Sequence, residues 1–330
     1  MSEPVASSLP GEETPEPLPD APAEPVGQVT LEAGAGGFGG AESQASAIGI
    51  RVQTQFGDVR RRFFRNKLAV VGLVMVAIVV ATAALAPVLA RYPPRQQDLA
   101  NTLQPPSAAH WFGTDELGRD QFSRVVYGSR IAVTVGLASI VLALVIGVVL
   151  GSLAGYIGRA WDVVIMRTAD VFFAFPLLIG AIVIILVVGR GVTPVILALG
   201  IFSWATVARL LRSSVLSIRE SEYVEAARSL GAGRWRIVTR HVLPNSLAPV
   251  LVYAMVSVAT AIVAEAALSY LGAGVRPDVP DWGNMIAAGQ KFFGFKNYLW
   301  LFPSLAVVFT VLGFVFVGDG LRDALDPRLR

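Results

Sequence analysis

The chain has 330 residues, of which 54% are hydrophobic and only 15% charged, with a mean hydropathy of +0.60 and a formal net charge of +3. Soluble domains carry about 25% charged residues. Here whole stretches lack charge while others are dense in it, which is typical of membrane spans separated by aqueous loops. The absence of cysteine excludes disulfides and thiolate chemistry, and the two histidines, His110 and His241, argue against a histidine-rich metal site.

Residues 1–55 are predicted to form a disordered acidic tail rich in Pro, Gly and Ala. The first fifty residues contain eight acidic side chains and no Lys or Arg. Such a segment buries too little apolar surface to offset its ordering entropy, and it lacks the basic start and apolar core of a signal peptide. Gly34, Gly36 and Gly39 satisfy a GxGxxG pattern. Because no strand precedes them and no helix follows, we do not interpret them as a nucleotide site.

Residues 56–330 are predicted to form an all-α integral membrane domain with six transmembrane helices. A run of about 20 apolar residues crosses a bilayer as a helix, because its backbone polar groups are then satisfied internally. The apolar runs cover roughly 68–90, 131–155, 163–188, 192–211, 247–271 and 299–317. Basic residues crowd the start of the first run: Arg60, Arg61, Arg62, Arg65 and Lys67. Their position predicts a cytoplasmic N-terminus, and six spans then place the C-terminus on the same side.

Ionisable side chains inside spans are candidates for a transport pathway or a subunit interface. Asp170 lies within the third run, three residues after Arg167. This pair is either a local ion pair near the cytoplasmic interface or part of a functional surface. Glu265 lies deeper in the fifth run, on an alanine-rich stretch, and we expect it to occupy an interior position next to the pathway.

The loop before the second span carries clustered charges that include Asp115, Arg119 and Asp120. Two interpretations stay open for these residues. They form either a self-satisfied network that caps the second span, or a surface that faces an external partner. Trp282, in the second outer loop, is a candidate for the same external surface.

The most informative segment lies between the fourth and fifth spans, on the predicted cytoplasmic side. We refer to residues 213–245 as the connecting segment. From Ser214 to Leu230 the apolar spacing predicts one amphipathic helix. Gly231 stands where a helix end favours a left-handed residue, and Pro244 fits the first turn of the fifth span.

This arrangement resembles the EAA loop of bacterial ABC-importer permeases. The loop's pattern is EAA, three residues, Gly, nine residues, an aliphatic residue, one further residue and Leu-Pro. The matching positions here are Glu225, Ala226, Ala227, Gly231, Leu243 and Pro244, whereas the aliphatic position holds His241. Four further motifs resemble the second permease subunit of dipeptide, oligopeptide and nickel importers: FGTDELGRD at 112–120, EAALSYLG at 265–272, DWGNM at 281–285 and GDGLRDALDPR at 318–328.

The resemblance implies a type I ABC-importer permease fold and a non-catalytic membrane subunit, with no catalytic or metal-binding residue. The implied partners are a sister permease subunit in a heterodimer, two ATPase subunits that bind ATP and Mg²⁺, an extracytoplasmic binding protein and membrane lipid, with no nucleic acid. The chain contains no GxxxxGK[ST] phosphate loop of its own. Peptides are the implied cargo, although the sequence alone leaves nickel or haem-like ligands open. The alternatives are an ion-coupled secondary transporter and, more remotely, a membrane enzyme.

Overall fold

The computed structural model describes residues 55–325, which belong to one structural unit. The predicted acidic tail up to residue 54, with its GxGxxG pattern, and the last residues of the C-terminal motif lie outside this range. Within the range the chain is helical and contains no strand. The helices are α1 Gln55–Arg65, α2 Lys67–Ala84, α3 Ala86–Leu89, α4 Gln121–Ser152, α5 Arg159–Ala174, α6 Leu177–Val188, α7 Val192–Arg219, α8 Glu222–Ser229, α9 Arg234–Ile237, α10 Leu243–Tyr270, α11 Trp282–Gln290 and α12 Tyr298–Leu325.

Five helical stretches of the described chain are long and apolar enough to cross a membrane, and one bent pair of helices adds a sixth candidate. The five are Lys67–Ala84, Gln121–Ile157, Val192–Arg219, Arg234–Tyr270 and Tyr298–Leu325. Two of them contain a π-helical turn, at Leu153–Ile157 and at Val238–Val242. The predicted all-α membrane fold is therefore confirmed. The helices extend beyond the apolar runs, because their polar ends continue into the aqueous loops.

Helices α4 and α7 pack closely along a stripe of glycines on α4 and in the π turn that follows it. A Cβ atom added to Gly151 would lie 2.6 Å from the carbonyl oxygen of Ala208 on α7, so only glycine fits there. Small residues at this spacing allow two membrane helices to approach with their backbones almost in contact. The contacts advance in the same direction along both helices: Leu142 with Gly200, Gly147 with Val207, Gly151 with Ala208 and Leu211, and Gly155 with Val215. The two helices therefore run parallel.

Parallel packing forces the chain between α4 and α7 to travel back along their whole length. From the level of Leu142 to Ile157 the distance is about 22 Å at 1.5 Å per residue. Helix α7 starts eight residues before Gly200, which adds about 12 Å. The sum is close to the roughly 30 Å of a bilayer core. Helices α5 and α6 must make this return, and together they count as the sixth crossing.

The prediction of one continuous helix over 163–188 is wrong. Helices α5 and α6 meet at an angle of 93°, with Phe175 and Pro176 between them. Proline restricts the preceding residue to extended conformations, and Phe175 adopts φ −98° and ψ 129°. Proline also cannot donate the hydrogen bond that would continue the helix. The chain therefore turns sharply inside an apolar run that hydropathy treats as uniform.

The remaining spans complete the bundle around α4, α7 and α10. Helices α2 and α12 are antiparallel, since Gly72 meets Phe316 while Ala69 meets Gly320. The main buried cluster includes Val135 of α4, Leu199 of α7 and Ile262 of α10. The outer faces of the spans carry exposed aliphatic side chains, as expected for helices surrounded by lipid.

Candidate functional site

The connecting segment does not contain the single amphipathic helix predicted for residues 214–230. Helix α7 continues from the membrane to Arg219, and a separate helix, α8, begins at Glu222. At the break, Ser221 has an extended backbone with ψ 146°, and its hydroxyl donates a hydrogen bond of 2.6 Å to the carbonyl of Ile218. A serine hydroxyl that bonds the backbone in this way competes with helix propagation. Residues 214–219 thus belong to the spanning helix, and only α8 is free to project from it.

The predicted turn at Gly231 is present. Gly231 adopts φ +82°, and its N–H donates to the carbonyl of Arg228 at 3.0 Å. The next N–H, of Ala232, reaches back to the carbonyl of Ala227 at 3.1 Å. These two bonds form a Schellman motif, which satisfies the last carbonyls of a helix. Because an added Cβ at Gly231 would meet nothing within 4 Å, glycine is required here by its backbone conformation alone.

The chain then returns to the membrane through α9, the π turn and α10. Pro244 lies in the first turn of α10, as predicted. His241 lies in the π turn, half-buried, and its carbonyl accepts a hydrogen bond of 2.7 Å from the side-chain amide of Asn245. The same amide lies 3.3 Å from the hydroxyl of Tyr223 on α8. The backbone at His241 is therefore part of a polar link between α8 and the start of α10.

Apolar contacts fix the base of the connecting segment to the spans. Val224 of α8, Ile237 of α9 and Val242 of the π turn are fully buried in one cluster. The cluster also contains Leu211 and Val215 of α7 and Val250 of α10. Burial of each such side chain stabilises the packing by about 1.5–3 kcal/mol. The base of the connecting segment is therefore packed against α7 and α10 together.

The tip of the connecting segment is exposed and partly apolar. Glu225 and Ala226 are exposed, and Ala227 is half-buried. Sequence reasoning missed the two most exposed apolar side chains nearby, Leu230 at 89% and Trp235 at 79% exposure. A tryptophan inside a hydrophilic segment is the signal that could have identified them. Two large apolar side chains that are this exposed in a hydrophilic segment make the tip a candidate interaction surface.

A second group of functional candidates lies on α5 and α7. Asp170 forms an ion pair of 2.7 Å with Arg209 and a longer one of 3.5 Å with Arg167. The pairing with Arg167 follows from their spacing, whereas Arg209 is distant in sequence and was not predicted as a partner. The guanidinium of Arg209 also stacks 4.2 Å from the ring centre of Phe173. All three charged side chains remain about half exposed or more.

A cavity of about 310 Å³ lies at the bend between α5 and α6. One wall is aromatic, and Phe173 belongs both to this wall and to the contact with Arg209. The other walls carry hydroxyls from α7 and α10: Ser203, Thr206, Tyr253, Ser257 and Thr260. No charged residue among the described lining groups enters the cavity itself. The surface is suited to uncharged polar groups flanked by apolar ones.

Glu265 is buried near the end of α10 that lies away from the connecting segment, with 1% exposure. Its carboxylate accepts a hydrogen bond of 3.0 Å from Ser269 and contacts the carboxyl of Asp281. Asp281 caps the N-terminus of α11 by accepting from the N–H of Asn284 at 2.9 Å. Burial raises the pKa of Asp281 above its usual value. Glu265 therefore joins α10 to the loop before α11, a partnership that the sequence did not reveal.

In the loop before α4, the residues Asp115, Arg119 and Asp120 participate in a local network at the start of that helix. Asp115 accepts hydrogen bonds from the N–H and the Nε of Arg119, at 2.9 and 2.6 Å. Asp120 caps α4 by accepting from the N–H and hydroxyl of Ser123, and it also contacts the imidazole of His110 at 2.9 Å. Both carboxylates are buried. This geometry favours the capping interpretation and leaves little of either side chain at the surface.

Trp282 is also enclosed by the chain's own packing. Its indole N–H donates to the carbonyl of Val125 at 2.9 Å, and its ring occupies the space above Gly128. It fixes α11 against the start of α4. Between residues 55 and 325, no cluster of three or more His, Asp or Glu side chains could hold a metal ion.

Comparison with known proteins gives consistent matches over most of the chain. Residues 147–330 match the family model described as binding-protein-dependent transport system inner membrane component. Residues 54–106 match the N-terminal transmembrane domain of oligopeptide transport permease C.

Among curated proteins, the dipeptide transport system permease protein DppC of Alkalihalophilus pseudofirmus is 42% identical over 81% of this chain and 88% of its own length. The oligopeptide transport system permease protein OppC of Bacillus subtilis is 41% identical over 87% of this chain and 94% of its own length. The glutathione transport system permease protein GsiD of Pectobacterium atrosepticum is 40% identical over 84% and 93%. A chain from an inward-facing structure of the MetNI methionine ABC transporter shares the fold, with a TM-score of 0.50, 19% identity, and coverage of 62% of this chain and 97% of that one.

Proposed function

The chain belongs to the binding-protein-dependent transport system inner membrane components, as a C-type ABC permease, and we propose that it forms half of the translocation pathway of an ATP-driven importer of peptides. Membrane subunits of this family are non-catalytic. The proposed assembly adds a sister permease subunit, two cytoplasmic ATPase subunits that bind ATP and Mg²⁺, and an extracytoplasmic binding protein. Family membership favours this proposal over the alternative of an ion-coupled secondary transporter, and it argues against a membrane enzyme.

The structure of the connecting segment supports the proposed coupling between this chain and an ATPase. Its tip presents Glu225, Ala226 and Ala227, with Leu230 and Trp235 exposed beside them. Its base is packed into the ends of α7 and α10. An ATPase that binds the tip would move both spans as a unit, because buried packing is close to that of a solid and transmits displacement. Gly231 and the Leu243-Pro244 restart hold the tip in place.

The proposed pathway runs along the face that contains the 310 Å³ cavity and the ion pairs of Asp170. Charged side chains within a span face a protein interior or a water-filled passage, because exposing one to lipid costs about 2.5 kcal/mol or more. Arg209 is half exposed in the single chain. It therefore faces the passage or the sister subunit in the assembly. The hydroxyls of α7 and α10 would hydrogen-bond the backbone of a peptide irrespective of its side chains.

The proposed orientation places both termini and the connecting segment in the cytoplasm of a bacterial inner membrane. It rests on the basic residues of α1, such as Arg61 and Arg65. The binding protein would then dock outside, near α11 and the loop before α4. Because Asp115, Asp120 and Trp282 are buried, we propose that they and Arg119 hold the docking loops in place and make few direct contacts.

Cross-linking tests the docking of the ATPase. The chain contains no cysteine, so Ala226→Cys introduces a unique thiol at the tip. We expect this variant to cross-link to the ATPase subunit in the assembled complex, with the extent of cross-linking changed by ATP. Val187→Cys, at an exposed position of α6, is the matched control and should not cross-link to the ATPase.

Uptake in proteoliposomes tests the energy source and the cargo. Peptide uptake should require internal ATP, the ATPase subunits and the binding protein, and should survive collapse of ion gradients. Uptake by the chain alone, driven by an ion gradient, would refute the assignment.

A further inference from the structure

A cavity of about 990 Å³ lies between the π turn that follows α4 and the connecting segment. Four arginines line it: Arg159, Arg219, Arg228 and Arg234. Glu220 is the single acidic residue of the described lining. We refer to this space as the arginine cavity. Its walls come from two directions, with Arg159 at the start of α5 and Arg228 at the end of α8.

The arginines of the cavity have few partners within the described chain. Arg219 donates to the carbonyl of Gly155 at 2.9 Å and lies 3.4 Å from Glu220. For Arg159, Arg228 and Arg234, residues 55–325 provide no ion pair with an acidic side chain. Arg159, Arg228 and Arg234 are exposed, so water and salt weaken their mutual repulsion. Four guanidinium groups against one carboxylate still leave the lining with a net positive charge. The cavity therefore has the charge of an anion site.

The backbone adds to this positive potential. Helix α5 begins at Arg159, and no side chain caps its first N–H groups. Asp162 lies in the first turn, but its carboxylate is paired with Arg212 of α7. The N-terminus of a helix of this length carries a partial positive charge and attracts anions. Arg159 itself adopts φ +52°, a conformation that is uncommon for a residue with a side chain. An unfavourable backbone conformation retained at a cavity wall is typical of positions that serve binding.

The surroundings of the cavity indicate which anion it takes. Ile157, which lines the cavity, and Trp161, two residues after Arg159, are both more than half exposed. Both lie at the ends of membrane helices, where an exposed tryptophan typically marks the level of the lipid headgroups. Guanidinium groups pair well with phosphate oxygens. Phosphate at this position, next to exposed apolar side chains, is the chemistry of a phospholipid.

We propose that the arginine cavity binds the phosphate headgroup of an anionic phospholipid from the leaflet on the side of the connecting segment. Basic pockets at the cytoplasmic ends of membrane helices are suited to such headgroups. Because the walls belong both to the α4–α5 turn and to α8–α9, the bound lipid ties the connecting segment to the membrane surface. The proposal goes beyond the proposed transport function, and lipid binding is measured without any transport assay.

Native mass spectrometry of the full-length chain in detergent, with added phosphatidylglycerol or phosphatidylcholine, tests this site. The double variant Arg159→Gln/Arg228→Gln removes one arginine from each wall. The matched control Arg236→Gln/Arg240→Gln removes the same charge from exposed positions of the same segment that do not line the cavity. We expect the first variant to lose at least about tenfold in affinity for phosphatidylglycerol, equivalent to about 1.4 kcal/mol, and the control to change less than about twofold.

Three outcomes would overturn the proposal. Equal losses in both double variants would mean that diffuse surface charge attracts the lipid. Displacement of the lipid by millimolar inorganic phosphate would assign the site to free phosphate. Loss of the bound lipid on addition of the ATPase subunits would assign the arginines to carboxylates of a protein partner. The charge-preserving variant Arg159→Lys/Arg228→Lys should retain much of the affinity, which separates a binding defect from misfolding.

Discussion

The turn at Gly231 gives the sharpest test of how the connecting segment works. Gly231 has φ +82°, and the space around it is open. Any effect of a substitution therefore comes from backbone conformation and not from a clash. Alanine in a left-handed conformation costs about 1–2 kcal/mol, and 1 kcal/mol shifts the population of the formed turn about fivefold. Asparagine tolerates this conformation better than alanine does.

Proline at this position should be the most severe change. Its ring fixes φ near −65°, far from +82°. It also lacks the N–H that Gly231 donates to the carbonyl of Arg228. We expect uptake per ATP hydrolysed to fall in the order Gly231→Asn, Gly231→Ala, Gly231→Pro, while membrane insertion stays intact.

The assay compares peptide uptake with cargo-stimulated ATPase activity in reconstituted complexes, with insertion checked by the yield of folded protein. Gly233 provides a matched control, since an added Cβ there also meets nothing within 4 Å and its φ is −64°. Gly233→Ala should leave uptake close to that of the wild type. Normal cargo-stimulated ATPase activity and uptake in Gly231→Pro would refute the role assigned to the turn, as would equal effects at the two glycines.

Three further predictions concern packing, pH and charge. Gly151→Leu should lower the Tm of the purified protein, because overpacking costs about 1–3 kcal/mol and the α7 backbone would lie 2.6 Å from the added Cβ atom. Val149→Leu, at an exposed position of α4, is the control and should leave the Tm unchanged. Burial raises the folded-state pKa of Asp281 above 3.8, so the stability that its protonated form contributes is present below pH 3.8 and is lost as pH rises through the folded-state pKa. Asp281→Asn keeps the helix cap and should flatten the fall of Tm as the pH rises above 3.8. An unchanged slope would contradict this. Asp170→Asn should reduce peptide uptake. If the ion pair with Arg209 is structural, the exchange Asp170→Arg/Arg209→Asp should restore uptake. Failure of the exchange would show that the position of each charge matters to the passage.

Hydropathy alone predicts much of this fold, because six apolar runs leave few arrangements for an all-α membrane chain. It does not predict the bend at Pro176, since a proline inside an apolar run changes the direction of the backbone but hardly changes the mean hydropathy. The break at Ser221 was missed for a related reason. Apolar periodicity continues across it, while a single hydroxyl interrupts the helix.

In the candidate site, too, local features could be predicted from the sequence and contacts between distant residues could not. Local patterns predicted the turn at Gly231 and the restart at Pro244, because both depend on backbone preferences of single residues. The partners of Asp170 and Glu265 come from other helices, at Arg209 and Asp281. Nothing in the spacing of a single sequence pairs residues that far apart.

The parallel packing of α4 and α7 has a consequence for biogenesis. The glycines of α4 leave the ribosome before the residues of α7 that cover them, and no α4–α7 contact can form until the chain between them has been inserted. During that interval the stripe from Gly147 to Gly155 has only lipid or the insertion machinery as a neighbour. A substitution at this stripe would therefore show itself first as a protein that reaches the membrane and is degraded there, before any assay of transport could be made.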